Sequence, residues 1–453
     1  MQCSRAIKGR ADGRALLRPK SPKKPGIGDA FWEIIEMKFG QFLGLFCAGA
    51  ISVALAMNAH ADDKVVKIGE IFPLTGNAAS AGNHGKCAIE VAMDVVNNAH
   101  PELGDLPLAK NAGLAGLGGA KVDVVFADNQ GSPATGQNQA LRLITEEKVV
   151  ALNGSYQSGV TLTTSAIAER YGVPFLTGES VATDLTERGF KWFFRTTPIA
   201  PDFAAVYNDF LNDMKARGAK VDNVALVHDN TEYGTSVVNT ITKVFKEKGR
   251  PAPLDVAYPT NATDVQSQVL QLKEKNPDAV IMISYTSDAI LFAKTMQAQD
   301  YKPAMFIADD AGYSDPGFLK AAGKISQGIF NRSSWVVGPP GSPSAIINDM
   351  YKKKCGDDID DTAGREIQGF FVLVDAIDRA GSTEPAKIQA ALKATDLKAN
   401  QLVVGYKGVK FDEKGQNTLA SGILIQLQDG EHYVSVWPKD SAEKAPMLPY
   451  KGW

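Results

Sequence analysis

Residues 149–186 alternate between short apolar runs and a helix-like pattern, and this alternation restricts the possible folds more than any other feature of the chain. Residues 149–152 form an apolar run of strand length, 160–171 place apolar side chains on one helical face, and 173–176 form a second short apolar run. A polar turn follows each apolar run. Because parallel strands deliver their carboxyl ends to the same edge of a sheet, we expect the two turns to lie side by side.

The first of these polar turns contains Ser158 and Gly159, directly before the predicted helix. A helix N-terminus presents backbone N–H groups that lack intrahelical acceptors, and the serine hydroxyl adds another donor, so the turn is suited to hold a carboxylate. Serine is also a favoured N-cap residue in any protein, so Ser158 has a purely structural interpretation as well.

The same alternation continues along most of the chain. Further apolar runs of strand length occur at 65–72, 121–127, 190–195, 223–227, 256–258, 279–283 and 304–308. Helix-like patterns separate them, and the first covers 86–97 after a Gly-, Ser- and Asn-rich loop at 73–85. The order predicts doubly wound parallel sheets. The pattern restarts near residue 201 without a long linker, which predicts a hinged pair of α/β lobes.

The last third of the chain has a different pattern. Three amphipathic helices are predicted at 342–354, 362–380 and 385–394, and each is suited to covering a sheet face. Short strands with polar turns follow at 409–411, 423–427 and 432–436.

Residues 37–61 have the parts of a secretory signal peptide: Lys38, an apolar run over 39–57 and an Ala-His-Ala cleavage pattern. A transmembrane anchor is the alternative for an apolar run of this length, but the cleavage pattern argues against it. We therefore expect an exported protein whose mature chain begins at Asp62. Residues 1–36 are basic and proline-rich, and we expect them to be a non-native extension before a true start at Met37.

The mature chain is acidic and contains two cysteines. Removing residues 1–61 takes away nine basic and four acidic side chains, so the formal net charge changes from −3 to −8. This negative net charge argues against nucleic acids and anionic membranes as partners. Cys87 and Cys355 either pair in an oxidising compartment or remain as two buried thiols.

The sequence has no motif for catalysis, for a metal site or for a cofactor. The five histidines show no HxH or HExxH spacing and no cluster with cysteine. The GxSxG and GxxxxGK patterns are also absent. We therefore predict no catalytic residue, no metal site and no cofactor.

Polar and aromatic residues follow several predicted strands, namely Tyr233, Tyr285, Asp309 and Asp310. Each has a structural explanation when taken alone, since tyrosines pack at strand ends and aspartates cap helices. Their occurrence at strand ends in both lobes favours a cleft between the lobes.

Several segments, in this order, resemble one protein family: VKIGEIFPLTG, GSYQSG before a helix, TERGFKWFFRTTP, VALVHDNTEYG and FDEKG. They resemble the periplasmic solute-binding proteins of ABC transporters, of the branched-chain amino-acid (leucine/isoleucine/valine) binding type. The resemblance implies the type I periplasmic binding fold, in which two doubly wound α/β lobes are joined by three hinge crossings. The crossings would lie near 197, 332–335 and 403–407. Lobe 1 would comprise 62–198 and 333–403, and lobe 2 would comprise 199–332 and 404–453.

The resemblance also implies a function and a binding site. The protein would be a periplasmic receptor rather than an enzyme, would act as a monomer, and would deliver a small-molecule ligand to the membrane permease subunits of an ABC importer. The carboxylate of an amino-acid ligand would be held by residues of two loops, Tyr156, Gln157 and Ser158 on the first and Glu179, Ser180 and Val181 on the second. Asp310 would take the ligand ammonium, and Tyr233 and Tyr285 would form aromatic walls.

Two positions depart from the family pattern. Val181 stands where a hydroxyl residue is frequent, and Ala81 stands where an aromatic residue is frequent. Both departures leave room for a ligand bulkier than leucine. The alternatives are therefore a receptor for an aromatic carboxylate or a small amide and, third, an enzyme on the same scaffold.

Overall fold

The computed structural model describes residues 65–309, 311–428 and 432–453. The predicted extension at 1–36 and the predicted signal peptide at 37–61 lie outside these residues, as does Asp310. Within the described part of the chain, no helix combines the length and the apolar character that a membrane crossing requires.

The first sheet has five parallel strands in the order β2-β1-β3-β4-β5. Its strands are β1 (Val65–Phe72), β2 (Lys121–Asp128), β3 (Ala151–Gly154), β4 (Phe175–Thr177) and β5 (Phe193–Arg195). The helices of this lobe are α1 (Ala79–Asn97), α2 (Pro133–Thr145), α3 (Ser158–Tyr171), α10 (Pro343–Cys355), α11 (Asp361–Ala380) and α12 (Pro385–Lys393). This strand order is a doubly wound one, and it brings the loops after β3 and β4 to one edge.

The second sheet has seven strands in the order β14-β13-β10-β9-β8-β6-β7. Its parallel strands are β6 (Val224–Asp229), β7 (Leu254–Tyr258), β8 (Ala279–Ile283), β9 (Phe306–Ala308) and β10 (Phe330–Ser333). The strands β13 (Ile423–Leu427) and β14 (Tyr433–Trp437) extend it antiparallel. Its helices are α4 (Ala200–Ala216), α5 (Glu232–Glu247), α6 (Gln266–Lys275), α7 (Thr286–Ala298), α8 (Ala311–Ser314) and α9 (Pro316–Ala322). A small antiparallel pair, β11 (Asp396–Lys398) and β12 (Gly408–Lys410), completes the described strands.

Two sheets of this kind confirm the prediction of two doubly wound α/β lobes. The proposed residue limits of the lobes, 62–198 with 333–403 and 199–332 with 404–453, stay a prediction.

The first helix begins earlier than the sequence pattern indicates. A loop was expected over 73–85, but α1 already begins at Ala79. A Cβ atom on Gly82 would lie 2.1 Å from the Pro73 carbonyl oxygen, and one on Gly85 would lie 3.2 Å from the Phe72 ring. These two glycines therefore allow the helix to approach β1 closely, and their presence does not indicate a flexible loop.

The helix α11 packs against strands of the first sheet, as expected, but it is buried on every side along most of its length and not on one apolar side only. Each residue from 361 to 377 is buried, including the ionisable residues Asp361, Arg365 and Glu366. The helix packs against α1, α12, β3 and β4. Charged side chains in such a position need partners inside the protein.

The segments that cross between the lobes are hydrogen-bonded to one another. Gln416 lies on the segment between β12 and β13 that leads back to the second sheet. Its side chain accepts a hydrogen bond from Arg195 Nε at 2.6 Å and donates one to the Thr197 carbonyl at 2.9 Å. The Gly405 amide donates to the Ser334 carbonyl at 2.8 Å. The three connections therefore form one hydrogen-bonded hinge.

A disulfide between Cys87 and Cys355 answers the question that the sequence left open. It joins α1 to the last residue of α10, with a Cα–Cα distance of 6.2 Å and a sequence separation of 268 residues. A cross-link over so long a loop restricts the unfolded chain strongly, and such bonds typically contribute about 2–4 kcal/mol to the free energy of unfolding.

We expect reduction of this disulfide to lower the melting temperature by roughly 5–10 °C, because the unfolded chain regains conformational freedom. Calorimetry with and without dithiothreitol measures the effect. The double variant Cys87→Ser/Cys355→Ser is the control and should melt at the same temperature under both conditions. An unchanged melting temperature in wild-type protein whose two thiols titrate as free would contradict the expectation.

Candidate functional site

A small cavity lies between the two lobes where loops from both sheets meet. It is lined by Tyr156, Ser158, Glu179, Ser180, Val181, Tyr233, Tyr285 and Arg332. The cavity volume is about 20 Å³, which is close to the space of one or two water molecules. The structure thus brings together all the site residues predicted from the sequence except Gln157 and Asp310.

Gln157 and Asp310 are not among the residues that line the cavity, and the reason is different for each. Gln157 is buried, but it does not line the cavity, and its side-chain amide lies beside Gly131 on the α2 side of the loop. Asp310 lies outside the described residues, so its predicted contact with a ligand ammonium stays a prediction.

The loop after β3 presents the N-terminus of α3 to the cavity. The helix begins at Ser158 and its N-cap is Gln157, so the interpretation of Ser158 as a simple N-cap is wrong. The Ser158 hydroxyl instead accepts a hydrogen bond from the Ala182 amide at 3.3 Å. Tyr156 has a φ angle of +71°, a region that bulky residues rarely adopt. Such local strain is typical of functional loops.

The loop after β4 is held against the first loop by Ser180. Its hydroxyl donates to the Tyr156 carbonyl at 2.9 Å and lies 2.7 Å from the Thr161 hydroxyl. Ser180 therefore fixes the distance between the two loops. Val181, next to it, is buried and contributes an apolar side chain to the cavity wall.

Glu179 lines the cavity, and its negative charge is balanced by Arg365 on α11. Its Oε1 atom lies 2.7 Å from Arg365 Nη2 and accepts a hydrogen bond from Thr362 at 3.1 Å. Arg365 also lies 2.8 Å from Asp361 Oδ2 and donates to the Thr197 hydroxyl at 2.8 Å. Arg365 was not predicted from the sequence, because it stands within a helical pattern with no local mark of a role in the site.

Three tyrosine rings form the aromatic part of the cavity. The ring centroids of Tyr156 and Tyr285 are 5.7 Å apart, and those of Tyr233 and Tyr285 are 5.3 Å apart. All three side chains are buried. The distances are those of favourable aromatic pairs, so these rings are suited to cover an apolar or aromatic ligand group.

Asp309 and Arg332 form a buried ion pair behind this aromatic cluster. Arg332 Nε lies 2.9 Å from Asp309 Oδ1, and the Tyr233 hydroxyl donates to Asp309 Oδ2 at 2.7 Å. The Tyr207 hydroxyl bonds to the same carboxylate. The Arg332 guanidinium also stands 3.9 Å from the centroid of the Phe203 ring, a cation–π distance. Arg332 was expected at a hinge crossing and not in the cavity. A cation among uncharged neighbours is the sequence signal that marks it.

A scan against protein-family models matches residues 65–431 to the family described as periplasmic binding protein. The chain belongs to this family. The match confirms the resemblance drawn from the sequence.

Individual relatives agree with the family match. The "Leu/Ile/Val-binding protein homolog 7" of Brucella abortus (strain 2308) is 31% identical over 422 residues, which cover 88% of this chain and 98% of that protein. The crystal structure of a leucine-binding protein from Thermotoga maritima MSB8 is 23% identical, with a TM-score of 0.68 and coverage of 83% and 99%. A solute-binding protein of an ABC transporter from Rhodopseudomonas palustris BisB5, solved with 3,4-dihydroxybenzoic acid, is 18% identical, with a TM-score of 0.68 and coverage of 86% and 98%.

Two buried carboxyl groups lie beneath the first cavity loop of this periplasmic binding protein. Glu70 on β1 accepts hydrogen bonds from the Asn153 amide at 3.1 and 3.0 Å. Burial raises the pKa of Glu70 well above its ordinary value, and the nearby Glu366 raises it further. Burial likewise raises the pKa of Glu366 to about 8, against the opposing effect of Arg365. Glu366 is therefore a neutral acid at pH 7.

The raised pKa of Glu366 predicts how stability depends on pH. The folded protein keeps this proton up to about pH 8, whereas the unfolded chain releases it near pH 4.5. Folding therefore takes up a proton between these values, and the free energy of unfolding should fall as the pH rises through this window, by on the order of a few kcal/mol.

The variant Glu366→Gln should make this slope shallower, because the amide has no proton to release, whereas Glu70, whose pKa is also raised by burial, keeps its own contribution. Urea denaturation at pH 5 and pH 8 measures the slope. The exposed residue Glu413 supplies the control Glu413→Gln, which should follow the wild-type profile. A wild-type slope in Glu366→Gln would show that the pH dependence arises elsewhere.

Proposed function

We propose that this chain is an exported receptor that binds a hydrophobic amino acid, such as a branched-chain one, in the cleft between its lobes. It delivers the ligand to the permease subunits of an ABC importer. The proposal includes export through the signal peptide at 37–61, action as a monomer, no partnership with nucleic acid and no catalytic activity of its own.

One observation carries this proposal: the N-terminus of α3 faces buried aromatic rings across the interlobe cavity. The backbone N–H groups at the start of α3 and the Ser158 hydroxyl are suited to a ligand carboxylate. Tyr233 and Tyr285 are suited to an apolar side chain on the opposite wall. The names of the relatives, which include leucine- and Leu/Ile/Val-binding proteins, support the same ligand class.

The size of the cavity supports a receptor that opens and closes. A space of about 20 Å³ does not admit an amino acid, so binding requires the lobes to part or the tyrosine rings to move. The hydrogen-bonded connections between the lobes supply a hinge for such a motion, which is the usual behaviour of this kind of receptor.

A second candidate is a receptor for an aromatic carboxylate. Arg332 lines the cavity beside three tyrosine rings, and a guanidinium is a favourable partner for a carboxylate. The relative from Rhodopseudomonas palustris BisB5 was solved with a dihydroxybenzoate. A ligand of this kind needs no acidic partner for an ammonium group.

A thermal-shift screen distinguishes the two candidates. The panel contains the amino acids, benzoates, cinnamates and small amides, and a ligand that binds only the folded state raises the melting temperature. We expect the largest shift from aliphatic amino acids. Shifts confined to aromatic acids would overturn the amino-acid proposal, and turnover of a bound compound would revive the enzyme alternative.

Two matched variants then test the roles within the site. Asp310→Asn should weaken binding of an amino acid by about 2 kcal/mol or more, because a desolvated ammonium loses its charged partner, and should leave benzoate binding unchanged. Ser158→Ala should weaken the amino acid, whose carboxylate we place at α3, and should affect benzoate less, because the carboxylate of the aromatic ligand is placed at Arg332. Calorimetric titration gives the affinities, and equal amino-acid affinity in wild type and Asp310→Asn would exclude the ammonium role.

A further inference from the structure

Three side chains from distant parts of the chain meet outside the ligand cavity. They are His84 on α1, Asp360 directly before α11, and Asp315 directly before α9. One nitrogen or oxygen atom from each lies within 4.8 Å of the others. Because α1 and α11 pack together in the first lobe and α9 packs on α7 in the second, this cluster spans the boundary between the lobes.

The distances within the cluster are close to those of ligands around one metal ion. His84 Nδ1 lies 3.8 Å from Asp315 Oδ2 and 4.0 Å from Asp360 Oδ2. Zinc binds such atoms at about 2.0–2.2 Å, so two ligand atoms on one tetrahedral ion stand about 3.3–3.6 Å apart. Small side-chain rotations would place all three atoms on a common ion.

Asp315 is held in position by the protein around it. Its Oδ1 atom accepts hydrogen bonds from the Ser80 hydroxyl at 2.8 Å and from the Gly317 amide at 2.6 Å. Its Oδ2 atom faces His84 and lies 3.3 Å from the Thr286 hydroxyl. Ser80 belongs to the first lobe, so the boundary between the lobes is already closed around this carboxylate.

Asp360 and His84 are arranged in a similar way. Asp360 Oδ1 accepts the capping hydrogen bond from the Ala363 amide at 2.7 Å, and Oδ2 faces His84. The Nδ1 atom of His84 is buried and, within residues 65–309, 311–428 and 432–453, makes no hydrogen bond. Each carboxylate thus has one oxygen fixed by the scaffold and the other directed at an imidazole nitrogen, as in sites where hydrogen bonds orient metal ligands.

We propose that His84, Asp315 and Asp360 bind a divalent transition-metal ion of the Zn²⁺ class that links the two lobes. One imidazole nitrogen and two carboxylate oxygens are a ligand set that suits this ion, with water completing the coordination.

The location of the ion gives it a conformational effect. All three ligands are within reach of one ion only when the lobes are together, so the ion favours the closed arrangement. By linkage, a ligand that also prefers the closed cleft would bind more tightly when the metal is present. This last consequence rests on the proposed function, whereas the metal site itself does not.

Calorimetric titration of the purified protein with ZnCl₂ at neutral pH, without any amino acid, tests the site independently of ligand binding. We expect one ion per chain and an increased melting temperature. The variant His84→Ala should weaken zinc binding roughly tenfold or more. His100→Ala removes a histidine that lies outside the cluster and should bind zinc like the wild type.

A third variant, Asp315→Asn, tests the link between the lobes. Asparagine can cap α9 as aspartate does, so the fold should be retained, and circular dichroism checks this. Weakened zinc binding in this variant supports an ion held by both lobes. Zinc binding that is lost in His84→Ala but unchanged in Asp315→Asn would place the ion on one lobe and overturn the link. Equal affinity in wild type and His84→Ala, or no binding to the wild type, would overturn the site.

Discussion

The buried guanidinium of Arg365 is the interaction on which the geometry of the cleft depends. It contacts Glu179 on a cavity loop at 2.7 Å, Asp361 on its own helix at 2.8 Å and Thr197 at a hinge crossing at 2.8 Å. A buried charge has no water to solvate it, so it needs hydrogen-bonding or ionic partners inside the protein. Separating Arg365 from these partners would therefore cost considerable free energy. The position of the cavity loop is therefore tied to the position of the hinge.

Asp361 extends the same network to the second crossing. Its Oδ1 atom accepts hydrogen bonds from the backbone amides of Ser334 at 2.6 Å and Trp335 at 3.0 Å. The cleft, the buried helix α11 and two of the three connections thus share one set of ionic and hydrogen-bonding groups. In the other lobe, the Asp309 carboxylate has a comparable role. It pairs with Arg332 and accepts hydrogen bonds from the hydroxyls of Tyr207 and Tyr233. Both walls of the cavity are supported by buried charges that are balanced within their own lobe.

Much of the fold and part of the site could be predicted from the sequence because both follow from local patterns. Apolar runs separated by helical patterns identify parallel α/β sheets, and strand ends in such sheets meet at one edge. The pattern placed Ser158, Tyr233 and Tyr285 after strands, and all three line one cavity, whereas Tyr156 came only from the family resemblance. It failed at 79–85, where glycines that pack against β1 looked like loop residues. It also gave no sign that all sides of α11, including its ionisable residues, would be buried.

The sequence by itself determined the order of strands and helices, the two lobes and the loops that form the cleft, because hydrophobic periodicity is a property of neighbouring residues. Only the tertiary structure decided which charges meet, as in the pairs Glu179–Arg365 and Asp309–Arg332 and in the cluster at His84. It also decided that Cys87 and Cys355 pair. These contacts join residues far apart in the chain. Their distances are set by how β9 and β10 pair and by how α1, α9, α10 and α11 pack, and no local pattern contains that information.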